Sequence, residues 1–251
     1  NDGTKTEKDI HYKEISVKMK VISDNITGTT IRNEACISED SDKDGNPIDD
    51  RDSNPKKWVK YEDDEDYDNI ILKSFDLALR KFIIAVSDDT KIENSEYLKN
   101  TEGTYKRAPV VDTSKLNTKD ENGKIITTAT YNHTKEPVEV KKNDIVVYML
   151  RVYNEGEIDG YAAEIKDHLP PYLEYVNGEF NDKYGWKVSE DGRTVTTKYL
   201  ENAKINKAVK NENPTTPEKT YTLSYKEVPI MCKVKSTAKT GEKVTNIADI
   251  S

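Results

Sequence analysis

Apolar residues along this chain come in short runs broken by glycine, proline and acidic clusters, a rhythm of strands rather than helices. The clearest stretch is PVEVKKNDIVVYMLRVYNEGEIDGYAAEIKDHLPPYLEYV, which predicts one strand over 145–154, a turn at NEGEIDG and a second strand over 161–167. Pro170 and Pro171 end that second strand, because proline has no donor for a central ladder. WKVSEDGRTVTT reads as a hairpin turning at Asp191 and Gly192, KIITTATYNH alternates as a strand does, and closing strands are expected over 221–236 and 243–250. Two polar stretches interrupt the pattern. One follows residue 86, with a helical turn expected near 95–99, and the other, partly helical, spans 199–211. Many strands without βα alternation predict an all-β, antiparallel sandwich.

One run breaks its own apolar character. FDLALRKFIIAV, residues 75–86, reads as a buried strand that carries Lys81. A buried ammonium must snorkel outward, pair with a carboxylate or give up its charge. A lysine that gives up its charge is a nucleophile. The terminal run VTNIADIS offers the carboxamide of Asn246, and EIKDHLPPYLEYV places Asp167 at the end of a middle strand. Lysine first, acid in the middle and asparagine last is the order needed to close a Lys–Asn isopeptide bond, with Asp167 as the assisting acid. The plainer readings are a buried Lys81–Asp167 ion pair and an asparagine that caps backbone at a strand end. Arg80 and Lys73 are competing cations in the same stretch.

The two ends of the chain repeat one another. YKEISVKMKVISDNITGTTIRNEACIS, residues 12–38, aligns without a gap on YKEVPIMCKVKSTAKTGEKVTNIADIS, residues 225–251, at a constant offset of 213. Tyr12, Lys20, Val21, Gly28, Asn33 and Ala35 match Tyr225, Lys233, Val234, Gly241, Asn246 and Ala248. Residues 1–38 are therefore expected to be the closing strand pair of a preceding repeat, 39–69 a linker and 70–251 a whole repeat. Asn33 becomes an equivalent crosslinking residue. A lone strand pair is marginal in water, so it must pack on the following domain or complete a neighbouring chain's sandwich. A chain opening NDGTKTEK, with no signal peptide, is expected to be cut from something longer.

Charge sharpens the linker. The chain has 251 residues and a formal net charge of −8, and residues 39–68 alone hold thirteen acids against five bases, so the rest is balanced. With no basic stripe, nucleic acid is not an expected partner. No run approaches the ~18 apolar residues of a membrane span. Asp40, Asp42 and Asp44 before Gly45 match the first half of a calcium loop, which Asn46 and Asp49 or Asp52 could complete. Pro47 and the lack of a glutamate at the twelfth position depart from that pattern, and a solvated acidic tether is the alternative. The acids of 62–68 are denser but have no glycine turn. Cys36 and Cys232 make no metal spacing and read as free thiols.

VKKNDIVVYMLRVYNEGEIDGYAAEIKDHLPPYLEYV, closing with VTNIADIS, resembles the repeat domains of prokaryotic surface proteins and the isopeptide-bearing domains of Gram-positive pilin backbones and adhesins. The resemblance covers about residues 75–251. It implies an immunoglobulin-like β-sandwich whose first-strand lysine joins a last-strand asparagine, helped by the acid of a D-x-L-P-like segment, and those roles fall on Lys81, Asn246 and Asp167. An extracellular, cell-surface setting follows, with adjacent repeats or neighbouring copies as partners. Three function classes are carried forward: a structural module of a tandem surface protein or fibre, a module that binds a host or cell-surface ligand through loops 87–107 and 200–219, and a carbohydrate-active enzyme. The three histidines are scattered and there is no G-x-S-x-G, which counts against a hydrolase. A self-crosslink happens once per molecule, so the chain is not expected to be an enzyme with turnover.

Overall fold

The computed structural model describes residues 12–22, 30–48, 64–88, 99–121 and 123–250. Nearly all regular structure is β and antiparallel. The strands are β1 (Thr30–Cys36), β2 (Glu65–Ile71), β3 (Leu77–Ser87), β4 (Val110–Asp112), β5 (Thr130–Asn132), β6 (Ile145–Asn154), β7 (Ile165–His168), β8 (Leu173–Tyr175), β9 (Lys187–Val188), β10 (Thr194–Thr197), β11 (Val209–Lys210), β12 (Tyr221–Thr222), β13 (Ser224–Val234) and β14 (Ile247–Ile250), with a one-turn helix α1 (Glu179–Asp182). Two four-stranded sheets carry the fold, in the orders β3-β6-β13-β8 and β14-β7-β10-β9.

Those sheets share one core because period-2 alternation aims alternate residues at it. Val146, Leu150 and Val152 of β6 meet Val228, Ile230, Cys232 and Val234 of β13, together with Ile165 of β7 and Val195 of β10. The intervening residues of the first sheet are also covered: Ile145, Val147, Met149 and Met231 form a second apolar cluster under Tyr105, Ala108, Val176 and Phe180. Burial on both faces explains why IVVYMLRVYN is almost continuously apolar instead of alternating. In β3 the register shifts between Ile83 and Ala85, a bulge that lets Ile83 face the shared core and Ala85 the outer cluster.

Pro229 sits in the middle of β13 without breaking the sheet. Its carbonyl accepts a 2.8 Å hydrogen bond from Trp186 Nε1, so that edge, and the missing N–H with it, faces away from β6. β8 pairs only with Cys232–Val234. Before that point side chains replace the strand: Asn181 of α1 accepts from the Met231 N–H and donates to the Met231 carbonyl.

The N-terminal part differs from its expected hairpin. Residues 12–22 belong to no ladder, and β1 pairs instead with β2, from Thr30 opposite Ile71 to Cys36 opposite Glu65. β2 lies partly inside the stretch read as a structureless acidic tether. Tyr67, Ile70 and Ile71 supply its β-propensity, and the Arg32 guanidinium, 3.7 Å from the Tyr67 ring centre, offsets neighbouring acids. The polar segment 199–211 is not helical: it turns, and Ile205 bridges Gly160. The helical turn expected near 95–99 lies almost wholly outside the described residues.

The NEGEIDG turn locks β3 in place. Glu155 and Glu157 donate their N–H groups to the carbonyls of Asp76 and Ser74, while Asn154 donates its amide to the carbonyls of Ile158 and Ile205. Between them Gly156 touches backbone so closely that a Cβ would lie 2.7 Å from the Asp76 nitrogen and 2.8 Å from the Ser74 oxygen. Gly156→Ala is therefore expected to destabilise the fold by about 1–3 kcal/mol, read as a lower urea midpoint with an unchanged slope.

Candidate functional site

Lys81 lies in β3 and Asp167 in β7, on inward positions of two different sheets, and Asn246, expected within the last strand, immediately precedes β14 and continues its inward parity. Lys81 shares parity with Leu79 and Ile83, Asp167 with Ile165, and Asn246 with Ala248 and Ile250, all of which pack on the shared core. β3 and β14 are edge strands of their respective sheets, and they lie against each other along one seam. Asp167, on the strand beside β14, stands opposite Ala248 and Val195. The competing cations go elsewhere. Lys73 is exposed, and the Arg80 guanidinium stacks 3.8 Å from the Tyr131 ring centre.

Lys81 Nζ donates to Asp167 Oδ2, with the Lys81 side chain 10% and the Asp167 side chain 0% exposed. The Tyr148 ring closes one side, its centre 4.7 Å from Nζ, and the Cys232 thiol lies near both charges. Burial pushes the Lys81 ammonium down from its ordinary range against the opposing pull of Asp167. It pushes the Asp167 carboxyl up, opposed by Lys81, Asn246 and His168. Both shifts favour the uncharged forms. The same dry surroundings raise the Tyr148 phenol and the Cys232 thiol.

Asn246 is the unusual member. Both polar atoms of its carboxamide are buried without a conventional hydrogen bond, and so is Asp167 Oδ1. The amide nevertheless lies close enough to help hold the Asp167 carboxyl down. Buried polar atoms almost always find partners, and three without a conventional hydrogen bond beside an amine that burial pushes toward neutrality call for a chemical explanation. An amine and a carboxamide brought together beside a proton donor can exchange ammonia for a new amide bond.

A groove of about 720 Å³ runs along this seam, between residues 79–83, 133–138 and 242–248, with Lys81 and Asn246 in its lining. Arg107, His133 and Lys135 give it a basic wall. Of the loops expected to form a ligand pocket, 87–107 and 200–219, only Arg107 lines it among the described residues. Glu155 is a second buried acid: it accepts from the Ala129 N–H and the Tyr131 hydroxyl and fixes β5, and burial raises its carboxyl.

The remaining candidates lie apart. Asn33 is exposed in β1, opposite Asp68. Asp40, Asp42, Asp44 and Asn46 sit around a turn closed by the Ser41–Pro47 bridge. Asp42 spends its carboxylate on that turn, accepting from the N–H groups of Asp44 and Asn46 and from Asn46 Nδ2, which lowers its pKa. Among the described residues no three acids, histidines or cysteines gather as a metal site; Asp49 and Asp52 fall outside them. His168 is exposed and meets Asp249 at 2.5 Å. Tyr148 and Cys232 were not singled out from the sequence, although their parity with Leu150 and Ile230 places them on the inner face.

In Asn246→Ala both Lys81 and Asp167 keep their titratable groups. Asp167 is raised in the fold, so the folded chain keeps its proton longer and stability falls as pH rises above about 4. Lys81 is lowered, so the unfolded chain binds more protons below about 10 and stability climbs again toward alkaline pH. Urea midpoints of this variant should trace a trough between those limits, which adding Lys81→Met and Asp167→Asn flattens.

No protein family, curated protein or solved structure matches this chain.

Proposed function

We propose that residues 70–251 form an immunoglobulin-like β-sandwich that closes a Lys81–Asn246 isopeptide bond, and that the chain is a structural module of a tandem-repeat surface protein or fibre, outside the cell. The observation that carries this reading is the buried Asn246 amide, without a conventional hydrogen bond, beside a lysine and an acid that burial pushes toward neutrality. The neutral Lys81 amine attacks Asn246 Cγ while protonated Asp167 donates to Oδ1. The new C–N bond forms, the bond to Nδ2 breaks, and the proton lost by the amine passes through Asp167 to the leaving group. One ammonia departs and Asp167 ends as it began, with no redox change. Placement supplies the rate, since well-oriented intramolecular partners reach effective molarities of about 10⁵ M or more.

Such a bond ties the opening strand of the domain to the closing one. Loading on the chain ends then meets a covalent link where an unbonded seam would unzip. Adjacent repeats or neighbouring copies are the natural partners of a module of this kind. A second reading, a ligand-binding module of a surface adhesin, is favoured by the basic-walled groove along the seam.

Intact mass tests the proposal. The chain should be one ammonia lighter than its sequence, and Lys81→Ala, Asn246→Ala and Asp167→Ala should each restore the full mass; full mass in the unaltered chain sinks it. The bond would enclose roughly 165 residues, and by the chain-entropy relation for crosslinks its loss in Asn246→Ala should cost about 5 kcal/mol, measured by reversible chemical unfolding.

A further inference from the structure

Residues 12–22 belong to no ladder and carry an exposed apolar face. Ile15, Val17, Met19 and Val21 alternate along the segment and are 89%, 71%, 65% and 43% exposed. At the offset of 213 their counterparts are Val228, Ile230, Cys232 and Val234, which are 0%, 0%, 0% and 5% exposed in the core. One pattern therefore occurs twice, once seated and once unseated, and the seated copy shows what covers it. β13 lies between β6 and β8, inside the two-sheet core.

The outward positions repeat a recognition pair as well. In β13, Glu227 accepts from Arg151 Nε, and the Tyr225 ring centre lies 4.3 Å from the same guanidinium. Tyr12 and Glu14 duplicate Tyr225 and Glu227. Asn33 duplicates Asn246, and among the described residues β1 is paired along one edge, by β2, just as β14 is paired along one edge, by β7. The seat that these strands match in their own chain is already filled by β13 and β14.

We infer that residues 12–36 are the closing strand pair of a second two-sheet domain, whose opening strands present an arginine opposite Tyr12 and Glu14 and a buried lysine that takes Asn33 as its amide partner. The occupant is thus a domain of this same kind on another chain, with its closing pair missing or displaced. This rests on the crosslink chemistry proposed above. One position departs from the match: Lys18 stands where Met231 enters the outer apolar cluster, so the true partner has a solvated outer face there.

Co-refolding of two full-length variants tests the inference. The donor carries Lys81→Ala and Asn246→Ala, and the acceptor carries Asn33→Ala and Asn246→Ala, so the amide of donor Asn33 and the amine of acceptor Lys81 are the only matched pair. Irreversible capture accumulates even rare seating of the donor strands. The expected product is a covalent dimer, one ammonia lighter than the two chains, with a tryptic crosslink between donor Asn33 and acceptor Lys81. Asn33→Ala in the donor should abolish it, and Lys18→Met in the donor should raise the yield several-fold. A control donor with Lys81→Ala and Asn33→Ala but intact Asn246 shows how readily the acceptor takes an exchanged pair. Absence of the Asn33 dimer, with or without Lys18→Met and whatever the control donor does, overturns the inference. Full mass in the unaltered chain overturns the crosslink on which it rests.

Discussion

A cation on the inner face of an apolar strand is the constraint around which this domain is arranged. Left alone, the Lys81 ammonium would cost several kcal/mol in the core. The fold meets that cost with a carboxylate from the opposite sheet, and the Asp167 side chain, 0% exposed, is no better off without the lysine. Neither charge is tolerable alone. The pair therefore couples the two sheets at a point where most of the surrounding core is apolar.

The position of that pair matters as much as its chemistry. Edge strands offer unpaired backbone groups, and β3 and β14 are both edges. Their seam is where two stacked sheets part most easily, and Lys81, Asp167 and Asn246 lie along it. On the far side of the first sheet the problem is solved differently, with the amide of Asn181 and the indole of Trp186 completing the short reach of β8. One edge is closed by hydrogen bonds, and the other holds a buried ion pair beside a buried carboxamide.

Much of this was legible along the chain because period-2 parity survives folding. IVVYMLRVYN became β6 with the bounds expected of it, and the lysine, acid and asparagine singled out by residue type converge in space. Tyr148 and Cys232 share parity with Leu150 and Ile230, but a pattern marks what points inward and not what lies beside what. That Arg80, a competing cation in the same strand, is turned onto the Tyr131 ring is a tertiary fact that the run itself does not show. β2 was hidden by its acids: a charge run normally marks a solvated tether, and here strand pairing with TIRNEAC outweighed it. The DxDxDG spacing was read as cation-seeking, whereas Asp42 is turned onto its own backbone, a use that short acidic loops share with metal loops.

The lysine and the acid stand 86 residues apart, and the asparagine follows a further 79 along the chain. No local fragment holds all three, so the site comes into being only when both sheets have met in register. A bond made there would be a lasting record of folding history. Any molecule carrying it has, at one moment at least, been native, and a later loss of structure could not erase that mark.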